Sequence, residues 1–160
     1  MIQVLADEVV VVHGVLTDSR PVDFYRAGVA GTIERLATPL RAAGVAVRLD
    51  TPHHGIEIDR SSATLLYRTA QELLSNIFKY AKASAVTVRI ATVNHGAEHG
   101  IQLRVCDDGA GFDVERATTG RNSGMGLRLM RSTVDLAGGT TAIVSVPGAG
   151  SQVTVTLPLD

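Results

Sequence analysis

The chain has 160 residues, of which 45% are apolar, and its formal net charge is −1. This length and composition suit one globular domain with its own hydrophobic core. Nucleic acid is not an expected partner, because the chain has no basic field and its 4% aromatic residues give few surfaces for base stacking. No apolar run approaches the roughly 18 residues of a membrane-spanning helix, and the first residues do not resemble a signal peptide. We therefore expect a cytoplasmic protein.

The single cysteine and the five histidines show no pattern typical of a metal or disulfide site. Cys106 lacks a partner for an internal disulfide and lies in a predicted strand, which indicates a buried, unreactive thiol. The histidines fall at a helix end or in turns, without the spacing of zinc motifs, and are interpreted as surface residues. They are His13, His53, His54, His95 and His99.

The N-terminal part of the chain gives an ambiguous pattern. Residues 2–13 fit a helix by the spacing of three apolar residues and a strand by four consecutive valines, and we favour the helix. Residues 24–43 have a helical pattern that Pro39 must kink or restart, with Thr38 as the cap of the new turn. Gly44 then ends this helix.

Strand and helix alternate along the rest of the chain, which indicates an α/β domain. Strands are predicted at 45–49, 86–92, 101–106, 140–146 and 152–157, and helices at 62–82 and 125–137. Ser61 or Ser62 is the expected N-cap of the long helix. Residues 113–123 are polar and contain glycine, so we expect a mobile loop there.

The segment QELLSNIFKYAKAS, 71–84, has two distinct helical faces. At about 100° per residue, Glu72, Asn76 and Lys79 fall within an arc of about 60°. The opposite face of the predicted helix, including the turns just before this segment, is apolar and consists of Leu66, Ala70, Leu73, Leu74, Ile77 and Ala81. A solvated helix face is the simplest interpretation of the three polar residues taken alone, although asparagine is unfavourable inside a helix.

Two glycine-containing segments follow in the chain. In VCDDGAGF, 105–112, Asp107 leaves a predicted strand where glycines free the backbone to turn. In SGMGLRLM, 123–130, glycines stand directly before a helical pattern, whose free N–H groups can meet phosphate oxygens. Each segment alone is equally well explained as a turn or a flexible loop. Their fixed order after the polar helix indicates a nucleotide site that lacks a Walker motif.

These three motifs, in this order, resemble those of a known family. Segment 71–84 resembles the N box of two-component sensor histidine kinases, DDGAGF (107–112) their G1 box, and GMGL (124–127) their G2 box. The final VTVTLPL, 153–159, is similar to the closing strand of their catalytic and ATP-binding domain. The resemblance spans about residues 25–159 and is strongest for the nitrate-sensor type. It implies the Bergerat ATP-binding fold, a two-layer α/β sandwich whose mixed sheet carries helices on one face.

The resemblance implies that Mg·ATP binds here, with the adenine held by the G1 box. Asp107 matches the carboxylate that accepts a hydrogen bond from the adenine amino group. Gly109 and Gly111 would let the chain pass close to the base. Ser151 stands where the family has a hydroxyl near the adenine.

The metal and phosphate residues are implied in the same way. Asn76 matches the amide that holds Mg²⁺ against the phosphates, and Lys79 can reach phosphate as a point charge. Glu72 occupies the position of an acid that activates water in the hydrolases of the superfamily. Its role in a kinase is left open, and Glu72 and Asn76 are the candidate catalytic residues. Backbone N–H groups would bind phosphate oxygens at Gly124, Gly126 and Leu127.

The sequence departs from the family pattern at two places. The N box commonly reads KHA, and this chain has Tyr80 where the histidine stands, which puts a contact of that imidazole with phosphate or lid in doubt. Tyr80 is kept as a candidate nucleotide contact. The segment between the G boxes is short, so the expected lid is minimal and ordered only by nucleotide.

The resemblance implies further partners. Residues 1–22 resemble the tail of a dimerisation helix with its linker, and 23–160 the catalytic domain. No phosphoacceptor motif surrounds His13, so we expect the chain to be a fragment or partner of a longer kinase. It would then be cytoplasmic, for example as the cytoplasmic part of a membrane-bound sensor. The implied partners are a dimerisation and phosphoacceptor domain and, downstream, a response regulator. We expect the isolated domain to be a monomer that does not phosphorylate itself, and the full-length kinase to be a homodimer.

Two alternatives from other classes stay open. A stand-alone anti-sigma-factor serine kinase shares the same pocket but works by binding a protein partner. A non-catalytic regulatory module would bind ATP only to stabilise an interface, and Tyr80 in the N box is compatible with it.

Overall fold

A computed structural model describes residues 22–23, 29–51, 57–95, 98–119 and 125–159. In chain order the elements are β1 (Val22–Asp23), α1 (Val29–Arg35), α2 (Thr38–Ala42), β2 (Ala46–Asp50), β3 (Glu57–Ile58), α3 (Arg60–Asn76), a π-helical turn (Ile77–Ala81), β4 (Ala85–His95), β5 (Glu98–Asp107), α4 (Val114–Thr119), α5 (Met125–Leu136), β6 (Thr140–Ser145) and β7 (Ser151–Leu159). The assignment of 2–13 as helix and the proposed 1–22 tail fall almost wholly outside these residues.

Five strands form one mixed sheet in the order β2, β4, β5, β7, β6. The pair β2 and β4 is parallel, and the other neighbouring pairs are antiparallel. Parallel strands need a long crossover, and α3 lies in the connection between β2 and β4. Strands β1 and β3 pair separately as a two-stranded sheet that the sequence did not predict.

The helices cover one face of the sheet, as predicted for a two-layer sandwich. Ile90, Leu103 and Val155 lie side by side across β4, β5 and β7, and all three are fully buried. The next row along the same strands is polar, with Arg89 opposite Arg104. The helices also contribute residues to the core, among them Ile33, Leu40, Leu66, Ala70, Leu73, Leu74, Leu127, Met130 and Val134. The core is therefore formed by every second residue of the strands and by the residues that recur about every 3.6 positions on one face of the helices.

The predicted helix over 24–43 is two short helices, α1 and α2, separated by a turn at Leu36 and Ala37. Pro39 lies in the first turn of α2, where its missing N–H costs nothing, so the predicted restart is confirmed. The predicted cap is wrong, because the N-cap position belongs to Ala37 and no side chain caps it. Gly44, with φ of +88°, ends α2 as predicted.

Asp59 is the N-cap of α3, so the prediction of Ser61 or Ser62 is wrong. The Asp59 carboxylate accepts hydrogen bonds from Ser62 N (2.8 Å) and from Ser61 Oγ (2.5 Å). Partial burial raises the pKa of Asp59, but these bonds outweigh it and the net pKa lies below the ordinary 3.8. An ionised carboxylate has two oxygens and can serve both serines at once, which neither hydroxyl could do.

Part of the segment predicted as a mobile loop, 113–123, is helical. Residues Val114–Thr119 form α4, and Asp113 Oδ1 accepts a hydrogen bond from Arg116 N at its start (3.1 Å). The polar composition hid this element because a short capped turn carries almost no apolar periodicity.

Cys106 is only half-buried, which corrects the predicted full burial. Its Sγ lies 3.5 Å from Gln152 Oε1, and desolvation raises the pKa of the thiol, as expected for an unreactive cysteine. Among the histidines, the described side chain of His99 is exposed. Within the described ranges, no helix has both the length and the apolar character to cross a membrane.

Asp108 ties the end of β5 to the start of β4. Its carboxylate accepts hydrogen bonds from Ser84 Oγ (2.5 Å), Ser84 N (2.8 Å) and Ala85 N (2.9 Å). The Ser84 hydroxyl, followed by the N–H groups of Ala85 and Ser84, holds the pKa of Asp108 below its ordinary 3.8. Asp108 thus supports the scaffold at the residue next to Asp107.

Leu73→Ala should lower the free energy of unfolding by about 2 to 5 kcal/mol, because it leaves a cavity beneath α3. Leu73 is 4% exposed in the folded domain. Leu136→Ala on α5 is the matched control, since Leu136 is 90% exposed and its truncation should leave stability almost unchanged. Urea unfolding measures both, and equal losses in the two variants would contradict this core.

Asp108→Asn should destabilise the domain at pH 7 and have a smaller effect at pH 3. A folded pKa below the unfolded one gives stability that is complete above about pH 4 and is lost as the pH falls through the folded pKa. Urea midpoints at the two pH values measure the difference, with the exposed Asp135→Asn as control. A destabilisation by Asp108→Asn of the same size at both pH values would refute the ionic contribution.

Candidate functional site

Glu72 and Asn76 lie one turn apart near the end of α3, both half-buried. Asn76 Nδ2 donates a hydrogen bond to Glu72 Oε1 (3.1 Å). An ionised carboxylate can only accept, so the amide must present its NH₂ group to Glu72. The Oδ1 atom of Asn76 therefore faces away from Glu72 and can bind a cation or a donor. The predicted proximity of these two residues is confirmed.

A π-helical turn follows Asn76 directly and was not predicted. It spans Ile77–Ala81. The next residue, Lys82, has a left-handed backbone conformation with φ of +50°. Each residue of a π-turn advances by a smaller angle than in an α-helix, so the angle calculated for Lys79 changes. Its position on the same face as Glu72 and Asn76 stays a prediction. Lys79 is exposed on this turn, and Tyr80 is 73% exposed.

Asp107 is the last residue of β5 and is 9% exposed. Strand pairing places it opposite Val86 on β4 and Ser151 on β7. Its Oδ1 accepts from Gly109 N (2.8 Å), and its Oδ2 accepts from the Ser151 hydroxyl. The structure thus brings together Asp107 and Ser151, the two side chains for which the family resemblance separately implied a place near the adenine.

The Asp107 carboxylate keeps acceptor capacity for a further hydrogen bond. Two carboxylate oxygens offer about four lone-pair positions, and the two bonds within the protein use half of them. A buried carboxylate that accepts from one more N–H donor forms a charge-assisted hydrogen bond. The site can therefore select a ligand that presents an amino group and reject one that presents a carbonyl.

The loop after Asp107 packs against the π-turn, which joins the first two motifs. Ala110 N donates a hydrogen bond to Ala81 O (2.6 Å). A Cβ atom on Gly109 would lie 2.9 Å from the Ala81 carbonyl carbon, so only glycine fits. This contact of Ala81 could not be predicted from the sequence, because it is made by a backbone carbonyl, which leaves no signal in residue type.

Gly111 is required by its backbone and by a neighbouring loop. Its φ of +66° is strained for other residues, and a Cβ atom would lie 2.9 Å from the Val146 carbonyl carbon. Ala110 O also accepts from Gly148 N (2.5 Å). Gly109 and Gly111 thus allow close contacts between segments of the protein itself. Their close approach to a base stays a prediction.

The start of α5 reaches Glu72. A Cβ atom on Gly126 would lie 2.5 Å from Glu72 Cδ, inside contact distance. Leu127 is 4% exposed and belongs to the hydrophobic core, so only its backbone could serve a phosphate. Gly124 falls outside the described residues. The third motif is thereby brought against the first.

The residues present fit Mg·ATP by their chemistry. Asn76 offers a hard oxygen ligand, and Mg²⁺ needs few protein ligands because it keeps waters and phosphate oxygens. Among the described residues, no three His, Cys, Asp or Glu side chains gather as a metal site of their own.

Comparisons of sequence identify relatives of this chain. The sensor histidine kinase LiaS of Bacillus subtilis is 36% identical over 94 residues, which is 59% of this chain and 24% of LiaS. The oxygen sensor histidine kinase NreB of Staphylococcus carnosus is 32% identical over 116 residues, 72% of this chain and 32% of NreB. The chain therefore spans a quarter to a third of the length of these relatives.

The fold and a family model lead to the same assignment. The histidine kinase AdeS of Acinetobacter baumannii superposes with a TM-score of 0.65 and 17% identity, over 99% of this chain and 78% of the AdeS chain. This likeness concerns the fold and confirms the predicted Bergerat-type α/β sandwich. Residues 61–160, more than half of the chain, match the family model. The chain belongs to the histidine kinase-, DNA gyrase B- and HSP90-like ATPase family and has the catalytic and ATP-binding domain of sensor histidine kinases.

Proposed function

We propose that this domain binds Mg·ATP and transfers the γ-phosphate to a histidine on a separate dimerisation domain. The observation that carries the proposal is the buried carboxylate of Asp107, which leaves the central sheet with lone pairs free beside Ser151. Its surroundings match a nucleotide that offers one amino group. The kinship with sensor histidine kinases supports the phosphoacceptor.

Asp107 would accept the hydrogen bond of the adenine amino group. Ser151 donates to the same carboxylate and so orients it, and Gly109 N holds the other oxygen. Guanine would place a carbonyl oxygen against this charge, which is repulsive. We expect ATP to bind in preference to GTP for that reason.

Asn76 would hold Mg²⁺ through Oδ1, and the metal would neutralise phosphate charge. Lys79 is exposed on the π-turn and is available to a phosphate group. Backbone N–H groups at Gly124, Gly126 and Leu127 would add neutral donors at the start of α5. Tyr80 would lie near the same phosphates in place of the family's histidine.

Phosphoryl transfer depends mainly on positioning and on charge neutralisation. A domain that holds ATP in this way supplies half of such a reaction, and the attacking imidazole must come from elsewhere. We place this domain in the cytoplasm, joined to or paired with a dimerisation domain and acting on a response regulator. On its own it would be a monomer without self-phosphorylation.

Asp107→Asn should weaken ATP binding roughly 10- to 150-fold, the loss expected for one hydrogen bond to a buried charge of about 1.5 to 3 kcal/mol. Calorimetric titration with ATP and GTP measures it, and the variant should also lose its preference for adenine. Asp135→Asn is the control because this carboxylate is exposed on α5. Unchanged ATP affinity in Asp107→Asn would defeat the assignment.

Asn76→Ala should remove the part of ATP affinity that depends on Mg²⁺ and leave the fold intact. The measurement is ATP binding with excess EDTA and with excess MgCl₂, together with thermal unfolding. Asn94→Ala, an exposed asparagine at the far end of β4, is the control. An undiminished Mg²⁺ effect in Asn76→Ala would exclude this ligand.

The transfer itself is tested with γ-labelled ATP. The domain alone should incorporate no acid-labile label, and a histidine-bearing dimerisation domain supplied as a separate polypeptide should become labelled. Asp107→Asn should abolish that labelling. Acid-labile label on this chain alone would refute the division into two domains. ATP binding without any phosphohistidine would favour a non-catalytic module, and labelling of serine would favour the anti-sigma type.

A further inference from the structure

The orientation of the Asn76 side chain depends on Glu72. Carboxamide oxygen and nitrogen have nearly the same shape, and only their partners decide which one points where. Here Asn76 Nδ2 donates to Glu72 Oε1 at 3.1 Å. The opposite orientation would place an amide oxygen against a carboxylate oxygen, which is repulsive.

Glu72 in turn is confined by the start of α5. The Gly126 Cα lies so close that a Cβ atom would be 2.5 Å from Glu72 Cδ and closer still to its oxygens. Gly126 is within helix α5 and does not have a positive φ, so its backbone would accept alanine. Alanine at this position would therefore require the Glu72 carboxylate to move.

We infer that Glu72 is a positioning residue, whose carboxylate turns the Asn76 amide so that its oxygen faces the metal. Gly126 leaves the room in which that carboxylate sits. Glu72, Asn76 and Gly126, from two of the motifs, thus act together. Gly126 would have two roles, because it leaves space for the carboxylate and offers a backbone N–H group. The role toward Mg²⁺ rests on the proposed function, whereas the hydrogen bond itself does not.

The first test needs no nucleotide. In ¹⁵N-labelled domain without Mg²⁺ or ATP, the Asn76 side-chain NH₂ signals should show a hydrogen-bonded proton with a small temperature coefficient. Glu72→Ala should move these signals to the values of a free amide, and Glu72→Gln, which keeps an acceptor oxygen, should retain much of the bonded pattern. Signals that do not change in Glu72→Ala would overturn the inference.

The second test measures the effect on the metal. The Mg²⁺-dependent gain in ATP affinity should fall roughly tenfold in Glu72→Ala, the size of one hydrogen bond, and largely recover in Glu72→Gln. ATP binding in EDTA is measured for all three proteins, so that the Mg²⁺-dependent gain of each is taken relative to its own metal-free affinity. A full Mg²⁺ gain in Glu72→Ala would refute the positioning role. If the wild type binds no Mg·ATP, the proposed function fails, and the amide signals still decide the orientation.

Gly126→Ala provides an independent variant, because it displaces the carboxylate without removing it. It should shift the Asn76 amide signals in the same direction as Glu72→Ala. Gly31→Ala on α1 is the matched control, since a Cβ atom there would meet nothing within 4 Å. Asn76 signals of wild-type character in a folded Gly126→Ala domain would show that the glycine does not serve Glu72.

Discussion

Strand β5 is paired along nearly its whole length on both sides, and this double pairing determines where the chemistry lies. β4 and β7 hold it from Ile101 to Asp107 in continuous register. A strand paired on both sides cannot slip by one residue without turning its buried side chains to the outer face. The Asp107 side chain therefore lies on the buried face of the sheet, where the pairing of β5 ends, and it accepts a hydrogen bond from Ser151 of β7 there.

The glycines of the two later motifs serve packing first. Because they lack a Cβ atom, Gly109 can lie against the Ala81 carbonyl, Gly111 against the Val146 carbonyl, and Gly126 against the Glu72 carboxylate. Each contact joins segments far apart in the chain, so the described parts of the three motifs lie against one another in the folded domain. A site assembled in this way loses little freedom when a nucleotide binds, which favours affinity.

Two neighbouring aspartates have opposite tasks. Asp107 is buried and is the proposed acceptor for a ligand, whereas Asp108 is exposed and uses its oxygens on Ser84 and Ala85. Asp107 is the last residue of β5, on the same face as Leu103 and Val105, whereas Asp108 follows the strand and lies beside the start of β4. One carboxylate can thus be optimised for binding without weakening the other's hold on β4.

The sequence by itself determined the features that depend on neighbours a few residues away. The four-residue spacing of Glu72 and Asn76, the apolar face of α3 with Leu73, and the helix stop at Gly44 all follow from local geometry, and the motif order identified the family. Only the tertiary structure decided which distant groups meet. Local periodicity carries no information about a backbone carbonyl at Ala81 or the width of a gap beside Gly126. It also gave no sign that the long helix continues into a π-turn at Ile77–Ala81, because the apolar spacing of five residues does not distinguish a π-turn from an α-helical turn.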